Sequence, residues 1–204
     1  MYLAIGLIIC LFVIIIIFSF PQFSPIPYFP SNGRDIPLIL KALNIRSDQT
    51  IIDLGAGDGI VIFRAAERAF QNKCNTKFIA VEINPILLLI LHIRRLLHPN
   101  RKNIKIINTD MFSINYSLLI TNHYPLRPKV WAKGPSPFGG YRPLGETTFY
   151  IYISPWFIER TVANIAKQIQ YFDLVSYFYQ VKCLFGFKEE LSEGVHRVFR
   201  YEKA

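Results

Sequence analysis

The stretch Ile51 to Ile60 reads IIDLGAGDGI and combines β-branched apolar residues with three glycines and two aspartates. Glycine has no Cβ atom, so such a loop lets backbone N–H groups approach a ligand at the carboxyl end of a strand. Two more acids, Glu82 and Asp110, end apolar runs that read as later strands. Three acids on successive strand ends favour a cofactor cradle over the alternative, a structural glycine turn beside surface acids.

Phosphate-containing ligands fit this loop poorly. A dinucleotide loop follows G-x-G-x-x-G, and here the third glycine comes one place early; a P-loop requires a lysine that is missing. Asp53 and Asp58 would also repel a pyrophosphate. S-adenosylmethionine suits the loop better, because it has no phosphate, carries a cationic ammonium and sulfonium, and offers a carboxylate that backbone amides can hold.

The segment DLGAGDG resembles the first motif of the class I S-adenosylmethionine-dependent methyltransferases. The resemblance implies S-adenosyl-L-methionine as the cofactor. It also implies that Glu82 binds the ribose hydroxyls and that Asp110 with Met111 contacts the adenine. The cofactor-binding residues predicted from this motif are Asp53, Gly55, Ala56, Gly57, Asp58, Gly59, Glu82, Ile83, Asp110 and Met111.

A closer resemblance covers about residues 24 to 112. The segments PYFPSN, IIDLGAGDGIVIFRAA and VEINP together resemble a small family of membrane-anchored protein-lysine N-methyltransferases. Its members modify the adenine nucleotide translocase and the ATP synthase c subunit, and they have prokaryotic relatives. In this reading Tyr28 and Ser31 close over the methionine end of the cofactor; the alternative is a plain linker. The segment 117–146 is not part of the family pattern.

The acceptor side is predicted at Ser154-Pro155-Trp156-Phe157. This segment resembles the Asp/Asn/Ser-Pro-Pro-aromatic signature of amino-methylating enzymes, although it lacks the second proline. It would present a backbone carbonyl and an aromatic face to a target nitrogen, which makes Ser154, Pro155 and Trp156 the predicted catalytic residues. The alternative is a helix that begins at a proline and buries its aromatic residues.

The elements that must position these residues alternate between strand and helix. TIIDLG and KFIAVE read as buried strands and NIKIIN as a third strand, with GIVIFRAAERAF and PILLLILHIRRLL as the helices between them. TTFYIYIS, PWFIERTVANIAKQI and FDLVSYFYQV continue the rhythm, and CLFGFKEE with HRVFRYEK predicts a hairpin. This order predicts an α/β fold: a Rossmann-like class I methyltransferase domain whose mostly parallel, twisted sheet ends in an antiparallel closing hairpin.

The first 33 residues carry no charge, and residues 1–20 are almost wholly apolar. Their length is just enough to cross a hydrocarbon core of about 30 Å, which predicts a transmembrane anchor; a cleaved signal peptide is the alternative. Residues 21–33 read as a proline-rich juxtamembrane linker and 34–204 as the methyltransferase domain, with an insertion at about 117–146. Arg34, Lys41 and Arg46 follow the apolar segment, so the positive-inside rule predicts a single-pass membrane protein with a cytoplasmic catalytic domain.

The formal net charge of +9 is compatible with a membrane surface or with nucleic acid. No basic run with interleaved aromatics indicates RNA binding, so the bilayer is favoured and nucleic acid is disfavoured. The three cysteines show no metal-ligand spacing, and no metal is expected. The predicted activity is methylation of a protein side-chain amine, that of lysine, on a membrane-associated substrate. The alternatives are a lipid, quinone or other small membrane molecule as acceptor, and a non-catalytic cofactor-binding protein.

Overall fold

The computed structural model describes residues 2–19, 28–123 and 147–203. Strands and helices alternate through most of this part of the chain, as the apolar patterns predict. The helices are α1 (Tyr2–Ser19), α2 (Ile36–Leu43), α3 (Ile60–Gln71), α4 (Pro85–Leu97), α5 (Tyr116–His123) and α6 (Pro155–Gln168). The strands are β1 (Thr50–Leu54), β2 (Lys77–Glu82), β3 (Ile104–Asn108), β4 (Thr147–Ile151), β5 (Asp173–Tyr177), β6 (Phe187–Glu193) and β7 (Arg197–Lys203).

The strands form one seven-stranded sheet in the order β3-β2-β1-β4-β5-β7-β6. The first five strands of this order are parallel, and β7 is antiparallel to both of its neighbours. The predicted Rossmann-like sheet and its closing hairpin are therefore confirmed. The chain moves outward from β1 to β3 and then returns to β4 on the other side of β1. Such a switch point opens a cleft at the carboxyl ends of the strands.

The core has two layers because the central strands are buried on both faces. All five residues of β1 are buried, with Ile51 packed among residues of α2 and α3, and Ile52 among residues of α6. Continuous β-branched runs are typical of parallel strands covered by helices on both sides. The two helical layers hold the carboxyl ends of β1, β2 and β4 at one edge of the sheet.

Two segments differ from the sequence expectations. Residues 117–123, assigned to an aperiodic insertion, belong to α5, whose first residue Tyr116 is buried. The remainder of the predicted insertion, 124–146, lies outside the described residues, as do residues 20–27 of the predicted anchor and linker.

In the described part of the chain, no helix combines the length and the apolarity that crossing a membrane requires. The predicted transmembrane helix is therefore not supported, although the apolar residues do form the helix α1.

Candidate functional site

The glycine loop joins β1 to α3, and its three glycines all have positive φ angles: 74° at Gly55, 58° at Gly57 and 79° at Gly59. Each is also too close to a neighbour for a side chain. A Cβ atom would lie 2.9 Å from the Met111 Cε atom at Gly55, and 2.7 Å from the Tyr28 Cε2 atom at Gly57. At Gly59 it would meet Leu91 and Phe63, behind the loop. The loop therefore requires glycine both for its backbone conformation and for its packing.

Glu82 ends β2 and is fixed by three backbone amides. Its Oε2 atom accepts a hydrogen bond from the Gly57 N–H at 2.8 Å. Its Oε1 atom accepts from the N–H groups of Ile83 at 2.8 Å and Asn84 at 2.9 Å. A carboxylate offers about four acceptor positions. Glu82 thus orients the glycine loop and keeps acceptor capacity for a ligand hydroxyl.

Asp53 lies at the carboxyl end of β1 and is only 2 % exposed. Burial raises the pKa of Asp53 well above its ordinary value, and the negative charges of Glu82 and Asp58 add to the effect. A buried carboxyl group of this kind is stabilised as a carboxylate when a positive charge comes close. The acidic end of the cleft is therefore suited to a cationic ligand.

Asp58 is already engaged by the protein. Its Oδ2 atom forms a 2.8 Å salt bridge with the Arg94 guanidinium of α4, and its Oδ1 atom accepts from the Ile60 N–H at 3.1 Å. The Tyr28 hydroxyl also interacts with Asp58; burial and then the Asp58 charge raise the pKa of Tyr28 to about 12. Asp58 thus fixes the loop against α4 and Tyr28.

Tyr28 and Ser31 lie at the cleft rather than in a free linker. The Tyr28 ring packs on Gly57, and the Ser31 hydroxyl is 2.9 Å from the Tyr150 hydroxyl, in a hydrogen bond that either group can donate. Tyr150 is a buried residue of β4, next to Asp53 in the strand register. The sequence alone left two interpretations of this segment, closure over the cofactor and a plain linker. In the structure the segment forms one wall of the cleft.

The other wall comes from the end of β3. The Asp110 Oδ1 atom accepts from the Phe112 N–H at 2.9 Å, which turns the chain after the strand. Ile83, Met111 and Phe112 provide apolar surface in the same cleft, while the Asp110 carboxylate keeps acceptor capacity.

One cleft of about 760 Å³, including the open space at its mouth, joins these residues. Eleven of the twelve predicted cofactor-binding residues line it; the exception is Gly59, which lies behind the loop as the residue preceding α3. Other lining residues were not predicted, because an apolar or aromatic residue in or just after an apolar run gives no functional signal by type alone. They include Phe112, Tyr150, Tyr152 and Ile153.

The predicted catalytic residues lie beside the cleft, not among its lining residues. Ser154 precedes α6, Pro155 is the first residue of that helix, and Trp156 is 84 % exposed. Their neighbours Tyr152 and Ile153 do line the cleft. The assignment of Ser154, Pro155 and Trp156 to catalysis therefore stays a prediction, at the rim of the site.

No group of three or more metal-ligating side chains is positioned to hold an ion in the ranges that the structure describes. The acids at the cleft are spread over three strand ends and are bound mostly to backbone amides and Arg94. Their arrangement can receive hydroxyl groups and a positive charge.

Comparison with known proteins agrees with this geometry. A family described as PRMT5 arginine-N-methyltransferase matches residues 37–121, less than half of the chain. No curated protein matches the chain.

Solved structures of several methyltransferases share the fold. An RNA methyltransferase from Salinibacter ruber, in complex with S-adenosyl-L-homocysteine, has a TM-score of 0.60 and 14% identity, over 85% of this chain and 92% of that one. Precorrin-6y C5,15-methyltransferase from Geobacter metallireducens has a TM-score of 0.50 and 15% identity, over 83% and 87% of the chains. The 23S rRNA methyltransferase ErmE has a TM-score of 0.53 and 16% identity, over 87% and 70%.

The chain therefore has the Rossmann-like fold of the S-adenosylmethionine-dependent methyltransferases, and the comparisons support S-adenosylmethionine as the cofactor of this cleft. They do not confirm the resemblance to membrane-anchored protein-lysine methyltransferases.

Proposed function

We propose that this protein is an S-adenosylmethionine-dependent methyltransferase that methylates a side-chain nitrogen, preferably that of lysine, on a membrane-associated protein. The observation that carries the cofactor part is the convergence of Asp53, Glu82 and Asp110 with the glycine loop in one cleft. Carboxylates on adjacent parallel strands meet there because the carboxyl ends of the strands share one edge of the sheet.

The residues present fit the cofactor group by group. The free acceptor position of Glu82 suits the ribose hydroxyls, and the apolar surface of Ile83 and Met111 with the Asp110 carboxylate suits the adenine. The buried Asp53 carboxyl group suits the positive charge of the methionine end. Bound there, S-adenosylmethionine supplies a methyl group activated by its sulfonium.

The chain's own contribution is positioning and the exclusion of water. Holding two reactants in line contributes roughly 7–11 kcal/mol to lowering a barrier. A lysine with an ordinary pKa of about 10.4 must also lose its proton, at a cost of about 4–5 kcal/mol at pH 7. Aromatic residues at the cleft, Phe112 and Tyr152, form a low-polarity surface that would lower the pKa of an entering amine.

The family match does not decide the acceptor. The matched residues 37–121 cover the cofactor half of the cleft and end before β4 and the Ser154 segment.

RNA is a second candidate acceptor. It is favoured by a groove that Arg160 and Lys167 of α6 form beside Phe112, a residue that also lines the cofactor cleft. Two of the three similar structures described above are RNA methyltransferases by name.

A membrane surface is favoured as the place of action because apolar side chains are exposed on two helices in contact. The side chains of α1 are exposed from Tyr2 to Ile15, and α4 exposes Leu89, Ile93, Leu96 and Leu97. Arg101 and Lys102 are exposed just after α4. Apolar side chains flanked by basic ones are suited to anionic headgroups.

Incubation of the full chain with methyl-labelled S-adenosylmethionine and a cell lysate tests the proposal. Label on a lysine of a membrane-pelleted protein is the expected result. Label only on lipid or only on RNA would show that the acceptor is that molecule and not a protein. Label only on soluble proteins would overturn the proposal that the substrate is membrane-associated. Absence of both labelling and cofactor binding would refute the proposal that the protein is an S-adenosylmethionine-dependent methyltransferase.

Cofactor affinity is expected to rise with pH. The raised pKa of Asp53 means that its carboxyl group is protonated below that pKa in the free protein, whereas a bound cation favours the carboxylate. Binding below that pKa must therefore release a proton, and affinity falls by up to about tenfold per pH unit as the pH decreases. Calorimetry in buffers of different ionisation enthalpy measures the release. An Asp53→Asn variant should lose the pH dependence; if the wild type shows none, the proposed role of Asp53 is wrong.

Replacing Trp156 by alanine is expected to lower turnover about tenfold or more and to leave cofactor affinity nearly unchanged. Trp156 is 84 % exposed, so its removal should cost little stability. Phe185→Ala is the matched control, because Phe185 is also an exposed aromatic residue, at 90 %, and does not line the cleft. Equal turnover in the two variants would remove Trp156 from the acceptor site.

A further inference from the structure

A short segment, residues 28–32, forms the wall of the cleft above the glycine loop, and we refer to it as the strap. Tyr28 and Ser31 face the cleft, and the Tyr28 ring rests on Gly57. The strap has no helical or strand conformation of its own. Its position over the cofactor must therefore be set by contacts with other parts of the chain.

Asp35 follows the strap and is buried, with 1 % of its surface exposed. Its carboxylate accepts hydrogen bonds from the Tyr177 hydroxyl at 2.7 Å, the Val195 N–H at 2.7 Å and the His196 N–H at 2.9 Å. Burial raises the pKa of Asp35, but these hydrogen bonds outweigh it and hold the pKa below its ordinary value. Asp35 is thus a carboxylate at neutral pH, bound to the turn between β6 and β7.

The turn is shaped to receive this carboxylate. A Cβ atom at Gly194 would collide with the Asp35 carboxylate and with Leu38 of α2. The His196 ring packs against the Tyr177 ring, with centroids 5.7 Å apart. The C-terminal hairpin therefore provides a fixed point for the start of α2.

Tyr177 connects this fixed point to the strap. Its hydroxyl donates to Asp35 and accepts a hydrogen bond from the Asn32 N–H at 3.3 Å. The neighbouring strap residue Ser31 bonds to Tyr150, and the Tyr177 ring packs against Tyr152, with centroids 4.8 Å apart. Both Tyr150 and Tyr152 line the cleft. A continuous set of contacts thus runs from the hairpin to the cofactor cleft.

We infer that Asp35 and Tyr177 are positioning residues that fasten the strap to the C-terminal hairpin and so hold it over the bound cofactor. Neither residue lines the cleft; they act through Ser31 and Tyr28. A strap that is ordered in advance spares the cofactor the entropy cost of ordering it on binding. The inference deepens the proposed function and rests on it for the identity of the cofactor.

Tyr177→Phe tests the fastening because it removes one hydroxyl and keeps the ring. The matched control is Tyr201→Phe: Tyr201 is also buried in the sheet, and its hydroxyl accepts from the Val181 N–H at 2.8 Å, away from the strap. Both variants should lose similar thermal stability. Tyr177→Phe is expected to weaken S-adenosylmethionine binding about tenfold, mainly through faster dissociation, while Tyr201→Phe binds as the wild type. Equal affinity in the two variants would overturn the inference.

A double-mutant cycle and hydrogen exchange make the test independent of protein stability. Tyr177→Phe and Ser31→Ala should be non-additive in cofactor affinity, because both release the same strap. Without cofactor, Tyr177→Phe should raise amide exchange in residues 28–32, and Tyr201→Phe should not. If the wild type bound no S-adenosylmethionine, the proposed function would fail, and the exchange result would still decide the fastening. Unchanged exchange in Tyr177→Phe would refute it.

Discussion

Affinity for S-adenosylmethionine is expected to fall at least about 100-fold when Glu82 is replaced by alanine. The variant loses the carboxylate proposed to accept the ribose hydroxyls, and hydrogen bonds to charged groups contribute about 1.5–3 kcal/mol each. It also leaves the N–H groups of Gly57, Ile83 and Asn84 without their acceptor. The glycine loop loses its orientation together with the ligand contact. Isothermal titration calorimetry on the folded variant measures the effect.

Glu159→Ala separates the loss of a ligand contact from the loss of a carboxylate that binds backbone amides. Glu159 also binds two backbone amides, those of Lys182 at 2.7 Å and Cys183 at 2.9 Å, and it does not line the cleft. The Glu159→Ala variant should have a lower melting temperature than the wild type and an unchanged cofactor affinity. A folded Glu82→Ala protein with wild-type affinity would contradict the assignment of the cleft.

The second large effect is expected at Gly57. An alanine there must hold a φ angle of 58° and place its Cβ atom 2.7 Å from the Tyr28 ring. The left-handed conformation costs roughly 1–2 kcal/mol for a residue with a side chain. Since the Tyr28 ring must also move away from the loop, Gly57→Ala is expected to weaken cofactor binding at least about tenfold.

Gly186→Ala is the control for backbone strain. Gly186 has a φ angle of 79°, but a Cβ atom there would meet no neighbour within 4 Å. Both variants therefore carry the conformational cost, and only Gly57→Ala also displaces Tyr28. Binding competition against labelled cofactor compares them. Equal affinities in Gly57→Ala and Gly186→Ala would show that the contact between Tyr28 and Gly57 has no part in cofactor binding.

The apolar patterns and the sequence motifs were sufficient to predict the fold and half of the residues that line the cleft. Parallel strands buried on both faces read as continuous apolar runs, so TIIDL and KFIAVE could be recognised directly. The edge strand IKIIN is only partly buried, but its three isoleucines keep enough of this pattern to be recognised as well. Once these strands are parallel and adjacent, their carboxyl ends meet at one edge, which brings Asp53, Glu82 and Asp110 together without further information. At the N-terminus, hydropathy predicted the helix α1 correctly. The prediction that this helix spans a membrane is not supported.

The succession of strands and helices through β3, the glycine loop and the acids at the strand ends could be predicted from the sequence alone, because these features depend on local pattern and on a general rule of parallel sheets. The groups that those acids bind became known from the folded structure: Glu82 accepts hydrogen bonds from three backbone amides, and Asp58 pairs with Arg94 of α4. The folded structure also decided the partners of the strap, since Ser31 and Tyr150 are 119 residues apart and Asp35 and Tyr177 are 142 apart. A hydrogen bond between residues far apart in the chain depends on where the sheet places β4, β5 and the closing hairpin. The residue types along the chain do not specify that placement.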